Sequence, residues 1–370
     1  KIAIDQGSFA FSGDLTFRRE DPVYGNGLNG TVKARFTNIS LGASAIFGTK
    51  AGFRYWSVDA MANLGTGVPI LPGVYINEFG GGASYHMRRT NQRMGSKIIP
   101  EDKEMMYVPD ETIGLGIKAI AGLKGQNEKL FNAEAIFEMT FRSSGGVKNI
   151  NFMGNAYLLS MPKEASRGRL GERVKRMALK ASQTDILNGD PAISNEVFGP
   201  PDTQGAQIYA GIMINYDFDQ QVLHANLKAI INVAQGVIRG GGDAVLHFAP
   251  DEWYIYIGRP EYANRFNLNL LGLAQADAYF VMGSTVPDSP PPPENVSGIL
   301  GGINLDYMSD LNALADGQGI GFGASLRIDT GNKTFLIFYG RFQAGVGFDV
   351  MMRNYGGVTC EGRGPLGING

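Results

Sequence analysis

The architecture of this chain is most visible in Ile46-Phe47-Gly48-Thr49-Lys50-Ala51-Gly52-Phe53-Arg54-Tyr55-Trp56. An alternating strand ends there, a turn of about four or five polar or turn-forming residues follows, and an aromatic strand comes next. Residues 246–256 and 326–338 repeat this order. The pattern is typical of antiparallel hairpins with a longer loop, so the sequence predicts long β-meanders built by repetition.

Strict alternation of apolar and polar residues runs through most of the chain. It is clearest in Ala133-Glu134-Ala135-Ile136-Phe137-Glu138-Met139-Thr140-Phe141. One face of this segment carries Ala, Phe and Met, and the other carries mostly Glu and Thr. Antiparallel sheets look like this when one face is buried and the other lies in water, so we place Glu134 and Glu138 on a solvated face. The predicted fold class is all-β, with long antiparallel meanders and repeated hairpins forming an extended sheet, a sandwich or a barrel.

Two segments break the alternation. Residues 161–206 are basic and place Leu170, Val174, Met177 and Ala181 on one helical face. Residues 284–317 include four consecutive prolines and then a short helical pattern. We therefore expect one or two short helices and five segments. These are a meander block at 1–160, a basic helix or loop at 161–206, a meander block at 207–283, a Pro-rich loop with a short helix at 284–317, and a hairpin block at 318–370.

Composition narrows the class of protein. The chain has 52 Gly in 370 residues, which suits turns, bulges and close backbone approaches but not a helical protein. The formal net charge of −2 gives no basic field for nucleic acid. Cys360 is the only cysteine, which excludes an intrachain disulfide and a multi-cysteine zinc site.

The residues that usually carry chemistry are sparse. The three histidines are His86, His224 and His247. Neither His86 nor His224 has a second histidine or a carboxylate at ligand spacing along the chain, although separate strands can bring a pair together. The alternating glycines of 317–323 precede a strand instead of opening a helix, so they favour close packing over phosphate binding. The sequence predicts no catalytic residue, no metal ligand and no cofactor.

Aromatic residues of the hairpins are candidates for an interaction surface. They are Trp56, Trp253, Tyr254 and Tyr256. Such residues can form a carbohydrate platform, but in hairpins they more commonly pair across strands and fill a sheet core.

Charged clusters give further candidates. Arg169, Arg173 and Arg176 belong to the basic segment, which can bind anionic headgroups or an acidic partner, or form a solvated helix or loop. Asp217 and Asp219 can hold calcium with loop carbonyls, but a polar hairpin tip is the commoner role.

Three runs carry a resemblance to a known group of proteins. They are residues 251–260 (Asp-Glu-Trp-Tyr-Ile-Tyr-Ile-Gly-Arg-Pro), residues 53–56 and residues 347–355. These runs resemble segments of very large, uncharacterised β-rich envelope or surface proteins of Bacteroidota. The resemblance implies a bacterial origin, a location in the cell envelope or outside the cell, and a chain cut from a longer sequence. It transfers no active site.

The sequence thus predicts a non-enzymatic structural or interaction component of a large bacterial assembly or cell-envelope system. Its expected partners are other protein chains, including copies of itself, and not nucleic acid. Two alternatives stay open. One is a carrier or conduit for an apolar ligand, lined by faces such as that of residues 133–141. The other is an outer-membrane β-barrel, whose strands of about ten residues carry one apolar face. This second alternative implies association with a membrane.

Overall fold

The computed structural model describes residues 2–89, 107–127, 130–159, 207–287, 318–331, 333–335, 338–354, 358–363 and 366–369. These residues are mostly β-strand, with 3₁₀ turns at Ala234–Gly236 and Tyr262–Asn264. The prediction of an all-β protein with antiparallel meanders is confirmed. The helical patterns predicted within 161–206 and 284–317 lie outside the described residues. No helix within the described ranges is long and apolar enough to cross a membrane.

The chain forms two compact units. Unit 1 comprises residues 1–160 and 211–223, and unit 2 comprises residues 161–210 and 224–370. The strands up to residue 160 are β1 (Ile2–Asp5), β2 (Phe9–Asp21), β3 (Gly25–Phe36), β4 (Ser40–Lys50), β5 (Phe53–Leu71), β6 (Val74–Tyr85), β7 (Met87–Arg89), β8 (Tyr107–Pro109), β9 (Ile113–Gly125), β10 (Phe131–Arg142) and β11 (Val147–Leu158). The later strands are β12 (Ile208–Asp217), β13 (Val222–Val233), β14 (Ile238–Phe248), β15 (Trp253–Ile257), β16 (Phe266–Leu270), β17 (Ala274–Gly283), β18 (Gln318–Asp329), β19 (Lys333–Phe335), β20 (Phe338–Gly340), β21 (Gln343–Asn354), β22 (Val358–Arg363) and β23 (Leu366–Asn369).

Unit 1 is a long antiparallel meander. Strands β1 to β6 pair in chain order, β6 then pairs with β9, β9 with β10, and β10 with β11. Strands β7 and β8 form a separate two-stranded ladder. Short turns join most neighbours, so each strand packs against the next one along the chain.

The first predicted hairpin exists, but its turn is tighter than expected. Lys50 pairs with Phe53, which leaves only Ala51 and Gly52 in the turn. Both residues have positive φ, 49° and 91°. That is the two-residue turn whose twist matches the flanking strands, so the predicted four- or five-residue loop is wrong here. Alanine seldom adopts this conformation, which is why the sequence did not reveal it.

In unit 2, two short strands, β15 and β16, together occupy the place of one strand between β14 and β17. Strand β14 pairs with β15 along one half and with β16 along the other, and β17 pairs with both. Residues 258–265 leave the sheet between β15 and β16. Strand β17 then pairs with β18, β18 with β21, and β21 with both β22 and β23.

The other two predicted hairpins have different outcomes. Phe248 pairs with Trp253 across a four-residue loop at 249–252, which confirms the second hairpin. The third is wrong, because β18 pairs with β21 and not with the segment that follows it directly. Asp329, at the end of β18, joins the two ends of the segment that connects β18 to β21. It accepts hydrogen bonds from the Gly331 N–H and from the side chains of Arg341 and Gln343.

Candidate functional site

The two faces of the unit 1 meander differ in exposure, and their charged side chains are not on the face that a soluble sheet would give them. On β10, the Phe137 side chain is 40% exposed, whereas its neighbour Glu138 is only 3% exposed. The strand register continues both faces, since Phe137 lies opposite Ala119 and Phe152. We call the two sides the exposed face and the buried face.

The exposed face of unit 1 is apolar across most of its strands. Its most exposed member is Phe17, at 72%. The large side chains on this face are Leu15, Phe17, Val32, Leu41, Phe47, Val58, Phe79, Tyr85, Leu115, Ile117 and Phe137. The expected arrangement, with the apolar face buried and the Glu face solvated, is therefore reversed.

Polar cross-strand pairs occupy the buried face of unit 1. Asn155 Nδ2 donates a hydrogen bond of 3.0 Å to Glu134 Oε1, and these residues are directly opposite in the register. Asn63 Nδ2 donates one of 2.7 Å to Glu78 Oε1 in the same way. Such pairs satisfy polar groups withdrawn from water. A smaller apolar cluster of Ile120, Ile136 and Met153 lies among them.

An ion pair crosses a whole strand on this face. Lys118 Nζ on β9 lies 2.8 Å from Asp59 Oδ1 on β5, and both side chains are largely withdrawn from solvent. Strand β6 runs between them and places Gly82 in register with both residues. A Cβ at Gly82 would collide with the Asp59 carboxylate, so only glycine leaves room for this pair.

The β7–β8 hairpin lies against the buried face of unit 1. Met87 is buried, the Lys118 ammonium lies 4.4 Å from the centre of the Tyr107 ring, and the Tyr24 hydroxyl donates a hydrogen bond of 2.9 Å to the Tyr107 carbonyl. Two cavities of about 20 Å³ each border Tyr107. Each has room for a water molecule but is far smaller than a typical ligand pocket of about 300 Å³ or more.

Unit 2 shows the same division of faces. Its exposed face carries Phe248, Ile257, Leu268, Leu270, Leu326, Ile328, Val346 and Phe348. Alternate residues of the same strands, among them Asp277, Tyr279 and Val281, are buried.

A buried arginine organises the buried face of unit 2. The Arg265 guanidinium is fully buried and lies 3.0 Å from Asp277 Oδ1 and 2.7 Å from Asp349 Oδ1. Its Nε donates a hydrogen bond of 3.0 Å to the Pro260 carbonyl, which ties the excursion at 258–265 to the sheet. The rings of Tyr262 and Tyr279 lie 4.2 and 4.7 Å from its centre. The planar guanidinium thus satisfies two carboxylates from separate strands.

The alternating glycines make this cluster possible. Gly323 on β18 lies in register with Tyr279 on one side and Asp349 on the other. A Cβ there would collide with the Asp349 carboxylate and come within 2.6 Å of the Tyr279 ring. The prediction that these glycines allow close packing is confirmed within the described residues.

The hairpin aromatics proposed as an interaction surface are divided between the two faces. Trp56 lies on the exposed face of unit 1, between Phe47 and Tyr85 in the register. Trp253 lies on the exposed face of unit 2, with its ring 6.2 Å from that of Phe248. Cross-strand pairing is therefore confirmed. Both tryptophans are half-buried, although the large side chains with which they share a face are exposed.

The remaining two candidates lie on the buried side of unit 2. Tyr254 and Tyr256 stack on each other with ring centres 4.5 Å apart. Tyr254 also stacks on His247 at 4.9 Å. The basic candidates Arg169, Arg173 and Arg176 lie outside the described residues.

The structure brings two of the three histidines together. His224 Nδ1 and His247 Nδ1 are 3.1 Å apart, contributed by β13 and β14. His86 lies elsewhere, in unit 1, with its Nδ1 2.9 Å from the Arg54 carbonyl. The positions of the histidines along the chain indicated no site, but they did not exclude a pair contributed by two separate strands.

Turns at the strand ends hold carboxylates in ion pairs. Hydrogen bonds from Arg142, and then from Lys148, hold the pKa of Asp219 below its ordinary value, and the Asp217 carboxylate accepts the Asp219 N–H at 2.8 Å. This agrees with the predicted hairpin tip. Burial tends to raise the pKa of Asp110, but hydrogen bonds from Thr112 and Arg88 outweigh it and lower that pKa.

Sequence reasoning missed the residues that form the two buried ionic clusters. Asp277 and Asp349 are far apart in the chain and meet Arg265 only through the register of β17, β18 and β21. The glycines around Gly82 and Gly323 were the signal in the sequence that could have located these clusters. At each of these two positions, side chains from a neighbouring strand occupy the space that a Cβ would need. Comparison of the chain with family models, curated proteins and solved structures gives no match.

Proposed function

We propose that this chain is a membrane-embedded β-sheet protein of a bacterial outer membrane, with a non-enzymatic structural role. The observation that carries the proposal is the apolar exposed face of both units, together with the ion pairs and amide–carboxylate pairs that lie on the buried face beside its apolar residues. Transmembrane β-barrels alternate in this way, because lipid contacts one face and a polar interior contacts the other. Monomeric soluble proteins rarely expose an apolar patch larger than a few hundred Å².

Strand length agrees with this proposal. Strands β2, β3, β4, β6, β9, β10 and β11 have 11 to 13 residues each. A tilted strand needs about 9–11 residues to cross the hydrocarbon core. These strands are long enough to cross it and to reach the headgroup region at either end.

Aromatic side chains near strand ends support the same orientation. Phe47, Trp56 and Tyr85 form a row across three neighbouring strands, close to the turn between β4 and β5. At the other end of β2 and β3, Phe9 and Phe36 pair with ring centres 5.3 Å apart. Trp and Tyr are enriched where a bilayer meets water, since their rings have an apolar body and a polar atom.

The proposal also requires closure of the sheet edges. In hydrocarbon an unpaired backbone N–H or C=O costs several kcal/mol, so sheets cross membranes as closed barrels. The buried face would then line the barrel interior, where the ion pairs and amide pairs remain satisfied. Because that face in unit 1 is packed against the β7–β8 hairpin, we infer a packed interior there and a structural role, not a pocket for an apolar ligand.

Refolding into lipid tests the proposal. The urea-unfolded chain is diluted into phosphatidylcholine vesicles or into buffer alone, and each sample is floated on a density gradient. We expect the chain to float with the vesicles and to show β-sheet circular dichroism only with lipid or detergent. A chain that folds as a soluble monomer in buffer and stays at the bottom of the gradient would contradict the proposal.

A further inference from the structure

The two histidines of unit 2 bring their Nδ1 atoms to nearly the separation of two ligands on one metal ion. His224 Nδ1 and His247 Nδ1 are 3.1 Å apart, and both side chains are partly buried, so that ions and water still reach them. Metal–imidazole bonds of about 2.0–2.1 Å at a tetrahedral angle place two nitrogens about 3.3 Å apart. The observed separation, at which the two nitrogens share a hydrogen bond, differs from this value by only a few tenths of an ångström. To hold one ion, the donor ring carries its proton on Nε2 instead, so that both Nδ1 lone pairs face the ion.

We propose that His224 and His247 bind one divalent transition ion of the Zn²⁺ or Cu²⁺ class. Neutral imidazole nitrogens favour these ions over Ca²⁺ and Mg²⁺, which prefer oxygen ligands. The described residues hold no group of three or more His, Cys, Asp or Glu placed around a common ion. Within the part of the chain that the structure describes, the proposed site thus has two protein ligands, and water completing the shell would leave positions for an external ligand.

Neighbouring side chains hold one of the two ligands in place. The His247 ring stacks on Tyr254 with 18° between the planes, and Tyr254 stacks on Tyr256. The Tyr256 hydroxyl donates a hydrogen bond of 2.6 Å to the Thr285 carbonyl, which anchors the far end of this stack. Fixing a ligand before the ion arrives reduces the entropy that binding removes.

This site is independent of the proposed membrane location. It rests on two side chains of the buried face of unit 2 and not on the exposed face of either unit. If the chain does not bind a metal ion, the flotation of the chain with vesicles is still expected. If the chain does not float with vesicles, binding of the ion by the two histidines is still expected.

Calorimetric titration with Zn²⁺ tests the site in the full refolded chain. The variants are His224→Ala and His247→Ala, with His86→Ala as the matched control. We expect the chain and the control to bind one ion with equal affinity. Each pair variant should bind about tenfold or more weakly, because removing a ligand costs at least as much as removing an outer-shell partner. Equal binding by all four chains, equal loss in the control, or no binding by the unmodified chain would overturn the proposal.

A second measurement does not depend on the variants folding. Electron paramagnetic resonance of Cu²⁺ added to the unmodified chain at one ion per chain reports the nitrogen ligands directly. We expect hyperfine splitting from two imidazole nitrogens. A spectrum of oxygen ligands alone would overturn the proposal, since the ion would then lie at carboxylates and the histidines would only share a hydrogen bond.

Discussion

The exposed and buried faces of these sheets differ in the opposite sense from those of a soluble protein. In unit 1 the exposed face carries Phe17 and Phe137, while the buried face carries the Lys118–Asp59 pair. In unit 2 the exposed face carries Leu326 and Phe348 while Arg265 is buried. The alternation of apolar and polar residues along a strand assigns each residue to one of two faces. Whether water or lipid surrounds the sheet then determines which face is exposed. In lipid the apolar face is the one that belongs outside.

The largest effect should come from the buried cation of unit 2. Arg265→Met leaves two carboxylates, Asp277 and Asp349, without their shared cation, and losing one partner of a buried ion pair costs about 3–5 kcal/mol. The measurement is the free energy of unfolding in urea for the chain refolded in vesicles.

Arg327→Met is the matched control for this substitution. Arg327 lies 3.8 Å from the same Asp277 carboxylate, but its side chain is 54% exposed, and exposed pairs contribute about 0–1 kcal/mol. Equal losses in the two variants would contradict the distinction between the faces. Adding Asp277→Asn and Asp349→Asn to Arg265→Met should restore part of the loss, because the uncompensated charges are removed.

A charge placed on the exposed face should have the next largest effect. Phe137→Lys introduces an ammonium near the middle of β10, where a lipid-facing cation costs about 2–4 kcal/mol. Ser144→Lys, at an exposed position in the turn that follows the same strand, should change little. Fluorescence-monitored urea titration in vesicles distinguishes the two. If both variants match the unmodified chain, the exposed face lies in water.

The ion pair of unit 1 should matter less than the cluster of unit 2. Lys118→Met removes one partner of an ion pair that keeps some contact with water. The loss should lie between that of an exposed pair, about 0–1 kcal/mol, and that of a buried one, about 3–5 kcal/mol. Lys33→Met, at an exposed position in β3, is the control. A loss in Lys118→Met larger than that in Arg265→Met would reverse the expected order of the two units.

The smallest effect is an acid-dependent one at a turn. The pKa of Asp219 is lowered by its hydrogen bonds to Arg142 and Lys148, so its stabilising contribution is present above the unfolded pKa of about 3.9. That contribution is lost as pH falls through the lower pKa of the folded chain. The thermal midpoint of the unmodified chain should exceed that of Asp219→Asn at pH 6, and the difference should vanish in strong acid.

The control for this pH dependence is the Arg142→Met variant, which removes the first cause of the lowered pKa of Asp219. In that background Asp219→Asn should change the thermal midpoint less at pH 6. A difference for Asp219→Asn that grows as pH falls would have the wrong sign for a carboxylate with a lowered pKa.

Much of the fold was predictable from sequence, because period-two alternation fixes strands and the membership of each face. The alternation of Phe137 and Glu138 predicts a strand but holds equally for a water-facing and a lipid-facing sheet. The direction of burial was therefore assigned wrongly. The tight turn at Ala51 also escaped prediction, because its positive φ is rare for alanine.

The candidate sites were less predictable than the fold. Arg265 and Asp349 are 84 residues apart, and His224 and His247 belong to different strands. Only the strand register places such residues together, and a local pattern does not encode it. The sequence predicted that the aromatic residues of the hairpins pair across strands. It did not predict that the tryptophans lie on the exposed faces and the tyrosines on the buried side, because the strand register determines this.

The two tryptophans provide the most direct test of the central claim. Trp56 and Trp253 are the only tryptophans in the chain, and each lies on the exposed face of its unit. The measurement is tryptophan fluorescence of the chain refolded in vesicles whose acyl chains carry bromine, compared with vesicles of ordinary lipid. We predict strong quenching by the brominated chains and weak quenching by aqueous iodide. Quenching by iodide without quenching by bromine would show that the exposed apolar face lies in water and would contradict the account.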